Sequence, residues 1–197
     1  MKVYFVRHGQ SQHNLEKKAS GWSTAPLSEL GHEQARAIAP LFAGISMDKV
    51  FSSDLLRARQ TAEDVLPGCK PQLTDKLREI SVGNISGTTR MELCAKYGEV
   101  YTNAQSNHDY TPFGGENDDM VNERVSAFMR ELEKLEGCEN VAVFGHEGTV
   151  HQMINYVLKT RFELKCLRIP NCSVTVFSFE NGRWKLEKFA YTQKLIP

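Results

Sequence analysis

Two arginines and two histidines in this chain stand at positions where packing has no use for them. Arg7 and His8 end the apolar run that begins at Lys2, and Gly9 follows them. Gly145 and His146 end a second apolar run at residues 140–144. Arg57 comes one turn after Ser52-Ser53-Asp54, which closes a shorter apolar stretch at 49–51. A cation in the first turn of a helix opposes the helix macrodipole and costs about 0.3–1 kcal/mol unless an anion lies near it. Guanidinium forks match phosphate or carboxylate bidentately, and helix N-termini after Ser53 and His146 would aim backbone donors at the same ligand. The residue types therefore point to one anion held by Arg7, Arg57, His8 and His146.

The elements that must gather these side chains are visible as periodicity. Residues 2–6 and 140–144 are β-branched and aromatic runs of the kind buried on both faces of a parallel sheet, and 49–51 is a shorter strand. Ser28 can cap a helix through Phe42, and Ser52, Ser53 or Asp54 can cap another through Val65. Over 119–136, Val121, Val125, Phe128, Leu132 and Leu135 share one helix face, with Gly137 as its stop. Val150, Ile154, Val157 and Leu158 predict a further helix directly after His146. Residues 173–179 and 184–189 flank Asn181-Gly182, a hairpin signal that adds an antiparallel edge. Alternating strands and helices predict an α/β fold with a mostly parallel central sheet flanked by helices. In such sheets ligands bind beyond the carboxyl ends of the strands, where all four residues stand.

Composition narrows the function classes. A chain of 197 residues is expected to form one domain over 1–197. Lys plus Arg and Asp plus Glu both number 24, so no global field draws the protein to nucleic acid or a membrane. Five cysteines, Cys69, Cys94, Cys138, Cys166 and Cys172, are odd in number and lack CxxC spacing, which reads as reduced thiols in a reducing compartment. With no signal-peptide pattern and no apolar span of membrane length, a cytoplasmic protein is expected. His146-Glu147 and His151 imitate the zinc motif HExxH, but a spacing of five turns the imidazoles about 140° apart on a helix. No metal and no cofactor are expected, and the absence of GxxxxGK disfavours P-loop nucleotide hydrolysis.

Read in order, Arg7-His8-Gly9, GWSTAPLSELGHEQA, SSDLLRARQTA, LREISVGNISG, Gly114-Gly115-Glu116 and GHEGT resemble the histidine phosphatase superfamily, the phosphoglycerate mutase-like family, as far as about residue 150. The resemblance implies a three-layer sandwich of the phosphoglycerate mutase-like fold. It also implies that His8 is the nucleophile of a phosphohistidine route. Arg7, Arg57, His146 and Asn14 would then hold the phosphoryl oxygens, and Glu79 would protonate the leaving oxygen and later deprotonate the attacking water. The chain departs from the family pattern at Thr24, at Asn84-Ile85-Ser86, at Glu147 in place of a glycine, and at His151 in place of a frequent arginine.

A long polar stretch at about 100–118 is expected as a loop over the site. From Tyr97 to Glu123 there is no Lys or Arg, while Glu99, Asp109, Glu116, Asp118, Asp119 and Glu123 are acidic, so this lid should repel a second phosphate. That favours a phosphatase acting on small phosphomonoesters over the two alternatives, a phosphoglycerate mutase and a non-catalytic phospholigand-binding module. Tyr101, Tyr110 and Phe113 either contact the leaving group or form a small core of the loop itself.

Overall fold

The computed structural model describes residues 1–161 and 167–192. Its strands are β1 (Lys2–Arg7), β2 (Lys49–Ser53), β3 (Gln72–Thr74), β4 (Asn140–Gly145), β5 (Val174–Glu180) and β6 (Arg183–Tyr191). Its helices are α1 (Gln12–Leu15), α2 (Glu29–Ile38), α3 (Leu56–Val65), α4 (Arg90–Tyr97), α5 (Glu99–Asn107), α6 (Asp118–Leu132) and α7 (Glu147–Leu158). The strands pair in the order β3-β2-β4-β1-β5-β6, parallel from β3 to β1 and antiparallel through β5 and β6. The expected mixed sheet and its antiparallel edge are both present. At the hairpin tip Asn181 and Gly182 take φ of 50° and 72°, the left-handed pair that a two-residue connection needs.

Alternation along the central strands divides the core into layers. Val3, Phe5, Val141 and Val143 face α6 and α7, where Val125, Phe128, Met153 and Ile154 meet them. Val6, Ala142 and Phe144 face α2 and α3, against Ala35, Ile38, Ala62 and Val65. All of β4 from Val141 to Phe144 is buried. With each large apolar side chain contributing about 1.5–3 kcal/mol on burial, both faces of the central strands must be hydrophobic, which is why those runs show no polar alternation.

Four sequence expectations need correction. The stretch at 100–118 is not all loop, because α5 covers its first half. Gly98, at φ 51°, turns the chain between α4 and α5, and Tyr101 and Ala104 insert into a small core with Val82, Ile85, Leu93 and Phe113. So few apolar residues leave little helical periodicity to read, and Tyr101 and Phe113 belong to this core. Helix α6 ends at Leu132, well before Gly137. Helix α2 ends at Ile38, where Pro40 continues the chain as a 3-10 turn over Ala39–Phe42 because it lacks an N–H to donate. The N-cap of α3 is Leu55, with no side-chain cap; Asp54 instead receives a two-point bond from Arg78 at 2.8 and 2.5 Å. Strand β3 was not legible, being three residues long and mostly exposed.

Cys69, Cys94, Cys138 and Cys172 are free thiols, and Cys166 lies outside the described residues. Among the described residues no helix is long and apolar enough to cross a membrane.

Candidate active site

Strands β1, β2 and β4 end side by side, and the first residues beyond them converge. The backbone N–H of His8 donates to the Gly145 carbonyl at 2.9 Å. Gly9 then passes so close to the Gly31 carbonyl of α2 that a Cβ on either glycine would overlap the other segment's backbone. That contact explains a glycine in both motifs. Gly9 N donates to Thr61 Oγ1 at 3.1 Å, and Thr61 Oγ1 donates to the Arg57 carbonyl at 2.7 Å, so α3 is locked to the turn that carries His8.

His8, Arg57 and His146 are buried to 4%, 1% and 0% exposure. His8 Nδ1 lies 2.6 Å from the Gly9 carbonyl; a carbonyl can only accept, so Nδ1 carries the proton. Nε2 keeps its lone pair, and Arg57 Nε donates to it at 3.3 Å. Burial first, then the charges of Arg57 and Arg7, push the pKa of His8 well below the usual imidazole value. The ring is therefore neutral at physiological pH.

His146 stands edge-on to His8, with ring centroids 5.0 Å apart. Its Nε2 is 2.9 Å from Ser53 Oγ, and Ser53 Oγ also accepts from Leu55 N at 3.3 Å. When the Ser53 hydroxyl donates to Nε2, the neutral ring of His146 carries its proton on Nδ1, which is then a donor. Burial, followed by the charge of Arg57, holds His146 well below the ordinary imidazole pKa as well. Among the described residues, His146 Nδ1 and Arg7 Nε are buried without a hydrogen-bond partner. A buried unpaired donor costs about 1–3 kcal/mol, and an anion bound here would satisfy both.

The two guanidiniums are held from behind. Arg57 Nη2 and Nη1 donate to the carbonyls of Gly21 and Ser23 at 2.9 and 3.3 Å. Burial pushes its pKa down to about 10 against the opposing charge of Glu79, so Arg57 remains a cation near neutrality. Arg7 Nη1 donates to the Ile169 carbonyl, and Arg7 Nη2 pairs with Glu147 Oε2 at 3.0 Å.

Glu79 reaches the same place from the segment after β3. Its Oε1 accepts from Ile80 N at 2.9 Å and its Oε2 from Gly148 N at 3.4 Å. A Cβ at Gly148 would overlap Oε1, so any larger residue there would push the Glu79 carboxylate aside. Trp22 Nε1 and Arg124 Nη2 both donate to the Glu79 carbonyl, at 2.7 and 3.0 Å. Arg124 also donates to the carbonyls of Lys76 and Arg78 and grips both oxygens of Glu116, whose Oε2 accepts from Ser81 N. Sequence reading missed Arg124, Thr61 and Trp22, and marked Ser53 only as a strand end and candidate cap. Arg124 looks like a solvated residue on α6, and only its eight-residue spacing from Glu116 hints at a pair.

Asn14 is the sequence-predicted site residue that the structure ties least to the others. It is exposed on α1, and its Oδ1 accepts from Ser11 N at 3.1 Å in a capping box that does not use the amide NH2. Beside Glu79 a cleft of about 460 Å³ opens, lined in part by Ile80, Asp118, Val121, Glu147 and Leu167. Of the six acidic residues in the lid stretch, Asp118 lines this cleft. Glu116 is committed to Arg124, Asp119 to Arg161 and Asp109 to Thr111.

The pattern of the histidine phosphatase superfamily, branch 1, matches residues 3–192. The chain belongs to this superfamily. A broad-specificity phosphatase of Saccharomyces cerevisiae is 29% identical to this histidine phosphatase over 206 residues, covering 99% of this chain and 87% of the relative. Phosphoglycerate mutase-like protein 4 of Arabidopsis thaliana is 30% identical, covering 94% and 83%. Among solved structures, a mycobacterial glucosyl-3-phosphoglycerate phosphatase complexed with VO3 superposes with a TM-score of 0.85 at 27% identity, covering 97% of this chain and 99% of that one. The histidine phosphatase fold therefore extends across the sheet and both helical layers described above.

Proposed function

We propose that the chain is a cytoplasmic, single-domain phosphatase that hydrolyses small phosphomonoesters through a phosphohistidine at His8 Nε2. The observation that carries this reading is the tautomer of His8: Nδ1–H is fixed on the Gly9 carbonyl, and the lone pair of Nε2 lies among Arg57, Arg7 and His146. Nε2 attacks phosphorus, the bond from phosphorus to the leaving oxygen breaks, and Glu79 supplies a proton to that oxygen. Water then attacks the phosphohistidine, Glu79 takes its proton, and the N–P electron pair returns to Nε2. Arg7, Arg57, His146 Nδ1 and the Asn14 amide stabilise the phosphoryl oxygens in both steps. The chain's own side chains supply every group these steps need.

Magnitudes rank the parts. Phosphate monoesters require accelerations approaching about 10²¹, or about 28 kcal/mol. A general acid supplies about 10²–10⁴, so Glu79 is the minor contributor. Most of the effect must come from alignment and from cations placed where charge develops. A cleft of about 460 Å³ suits a small organic leaving group.

Incubation with a ³²P-labelled monoester, an alkaline denaturing quench and gel analysis before and after acid treatment tests the reading. Wild type should carry an acid-labile label and His8→Ala none; label retained on His8→Ala removes His8 as nucleophile. The Arabidopsis relative's name keeps a mutase in view. Conversion of 3- to 2-phosphoglycerate faster than phosphate release would favour that reading, and phosphate binding without either reaction would favour a binding module.

A further inference from the structure

We infer that Glu147 selects the leaving group, admitting neutral hydroxylated alcohols and rejecting those that carry a second anion. The inference rests on the phosphatase reading and concerns the same site. Glu147 is the first residue of α7, directly after His146. One of its oxygens lies 3.0 Å from Arg7 Nη2, and it lines the cleft together with Glu79 and Gly148. Its carboxylate therefore stands where the phosphoryl-binding cations give way to the leaving-group cleft.

The sequence placed the repulsion of a second anion on the stretch from Tyr97 to Glu123, yet of its six acids three are committed elsewhere and Asp118 alone lines the cleft. The charged groups that line the cleft are Glu79, Glu147, Asp118 and Arg168, with two histidines, His108 and His151. His108 faces Asp118 at 3.6 Å. Burial lowers the pKa of His151, and its Nε2 donates to the Leu167 carbonyl at 3.0 Å. Arg168 is exposed, so water and salt screen its pull. A leaving-group carboxylate that enters the cleft beside Arg7 meets Glu147, whose charge is held in place by Arg7 and the N-terminus of α7. Hydroxyl groups on a neutral leaving group would donate to the same oxygens.

A matched pair of substrates isolates the effect: glycerol 3-phosphate and 3-phosphoglycerate share a three-carbon frame and differ in CH2OH against COO⁻. The ratio of their kcat/KM values should favour glycerol 3-phosphate by at least about tenfold in wild type. It should fall about tenfold in Glu147→Gln and recover in Glu147→Asp, and added salt should shrink it in wild type more than in Glu147→Gln. Inorganic phosphate serves as a competitive probe of the Arg7 side alone. Equal changes in both esters and in phosphate inhibition, with the ratio unchanged, would show that Glu147 merely tunes Arg7, and the inference falls. Equal use of both esters by wild type would overturn it as well. Hydrolysis of neither ester by wild type would instead sink the phosphatase reading, and this inference with it.

Discussion

The phosphoryl half of the site and the leaving-group half are built on different principles. Arg7, His8, Arg57 and His146 stand at strand ends or in the first turn of a helix, and three of them are almost fully buried. Their neighbours at Gly9, Ser53 and Thr61 lock them through hydroxyl hydrogen bonds and one close backbone approach. The other half mixes irregular segments with side chains of α6 and α7, among them Asp118, Val121, Glu147 and His151. Glu79 lies in a connection after β3, held by Trp22, Arg124 and Gly148, and the cleft wall comes partly from the stretch that contains His108 and Asp118. A rigid half suits a ligand that never changes, and a half lined partly by connections can be reshaped without disturbing the sheet.

Substitutions in each half should separate them, and Arg57 should show the largest effect. Arg57→Met removes a buried cation aimed at the phosphoryl group and should lower kcat/KM by about 10³ or more for every ester, whatever its leaving group. A loss confined to poor leaving groups would break the division proposed here. Arg124→Met leaves Glu116 buried and unpaired, so urea unfolding should show a loss of about 3 kcal/mol. Its kinetic loss should be larger for alkyl esters than for p-nitrophenyl phosphate, because Glu79 is displaced while the cations are not.

A smaller effect is expected at Gly148, where Gly148→Ala pushes against Glu79 Oε1. Alkyl-ester turnover should fall about 10–100-fold, within the contribution of a general acid, and p-nitrophenyl phosphate should be hydrolysed nearly as before.

The mildest test is pH. His8 and His146 have folded-state pKa values well below those of the unfolded chain, so the unfolded state binds more protons as pH drops through about 6.5. Stability contributed by these two neutral rings is present above that pH and is lost below it, by at most ~1.36 kcal/mol per pH unit for each ring. Urea midpoints measured from pH 7.5 to 5 should fall, and His8→Asn should flatten the slope. An unchanged slope in that variant would place the titrating groups elsewhere.

The same division decides what could be read from the sequence. The strands carrying Arg7, Ser53 and His146 are hydrophobic because both faces are buried, so a polar residue at their ends stands out. Helices α6 and α7 were visible for the same reason. Helix α5 was not, since it buries little more than Tyr101 and Ala104. Arg124 was hidden because its partners are backbone carbonyls and one distant carboxylate, which no local spacing announces. Asp54 read as a cap because its type suits one, but Arg78 offers it a two-point ion pair and takes it away. Glu79 entered through a family motif, and its contacts with Gly148 and Trp22 depend on tertiary placement alone.

The register of β1 has a further consequence for biosynthesis. Residues 2–7 hydrogen-bond with 140–145 and with 174–178, segments that leave the ribosome long after His8 has been made. Ordering pairs so distant in sequence is slow, and domains assemble as translation proceeds. Until β4 arrives, the nascent imidazole lacks His146 and the Gly145 carbonyl that anchors its backbone. On the proposed mechanism an incomplete chain would carry His8 in an inert form, and phosphoryl chemistry would switch on only when the central sheet closes.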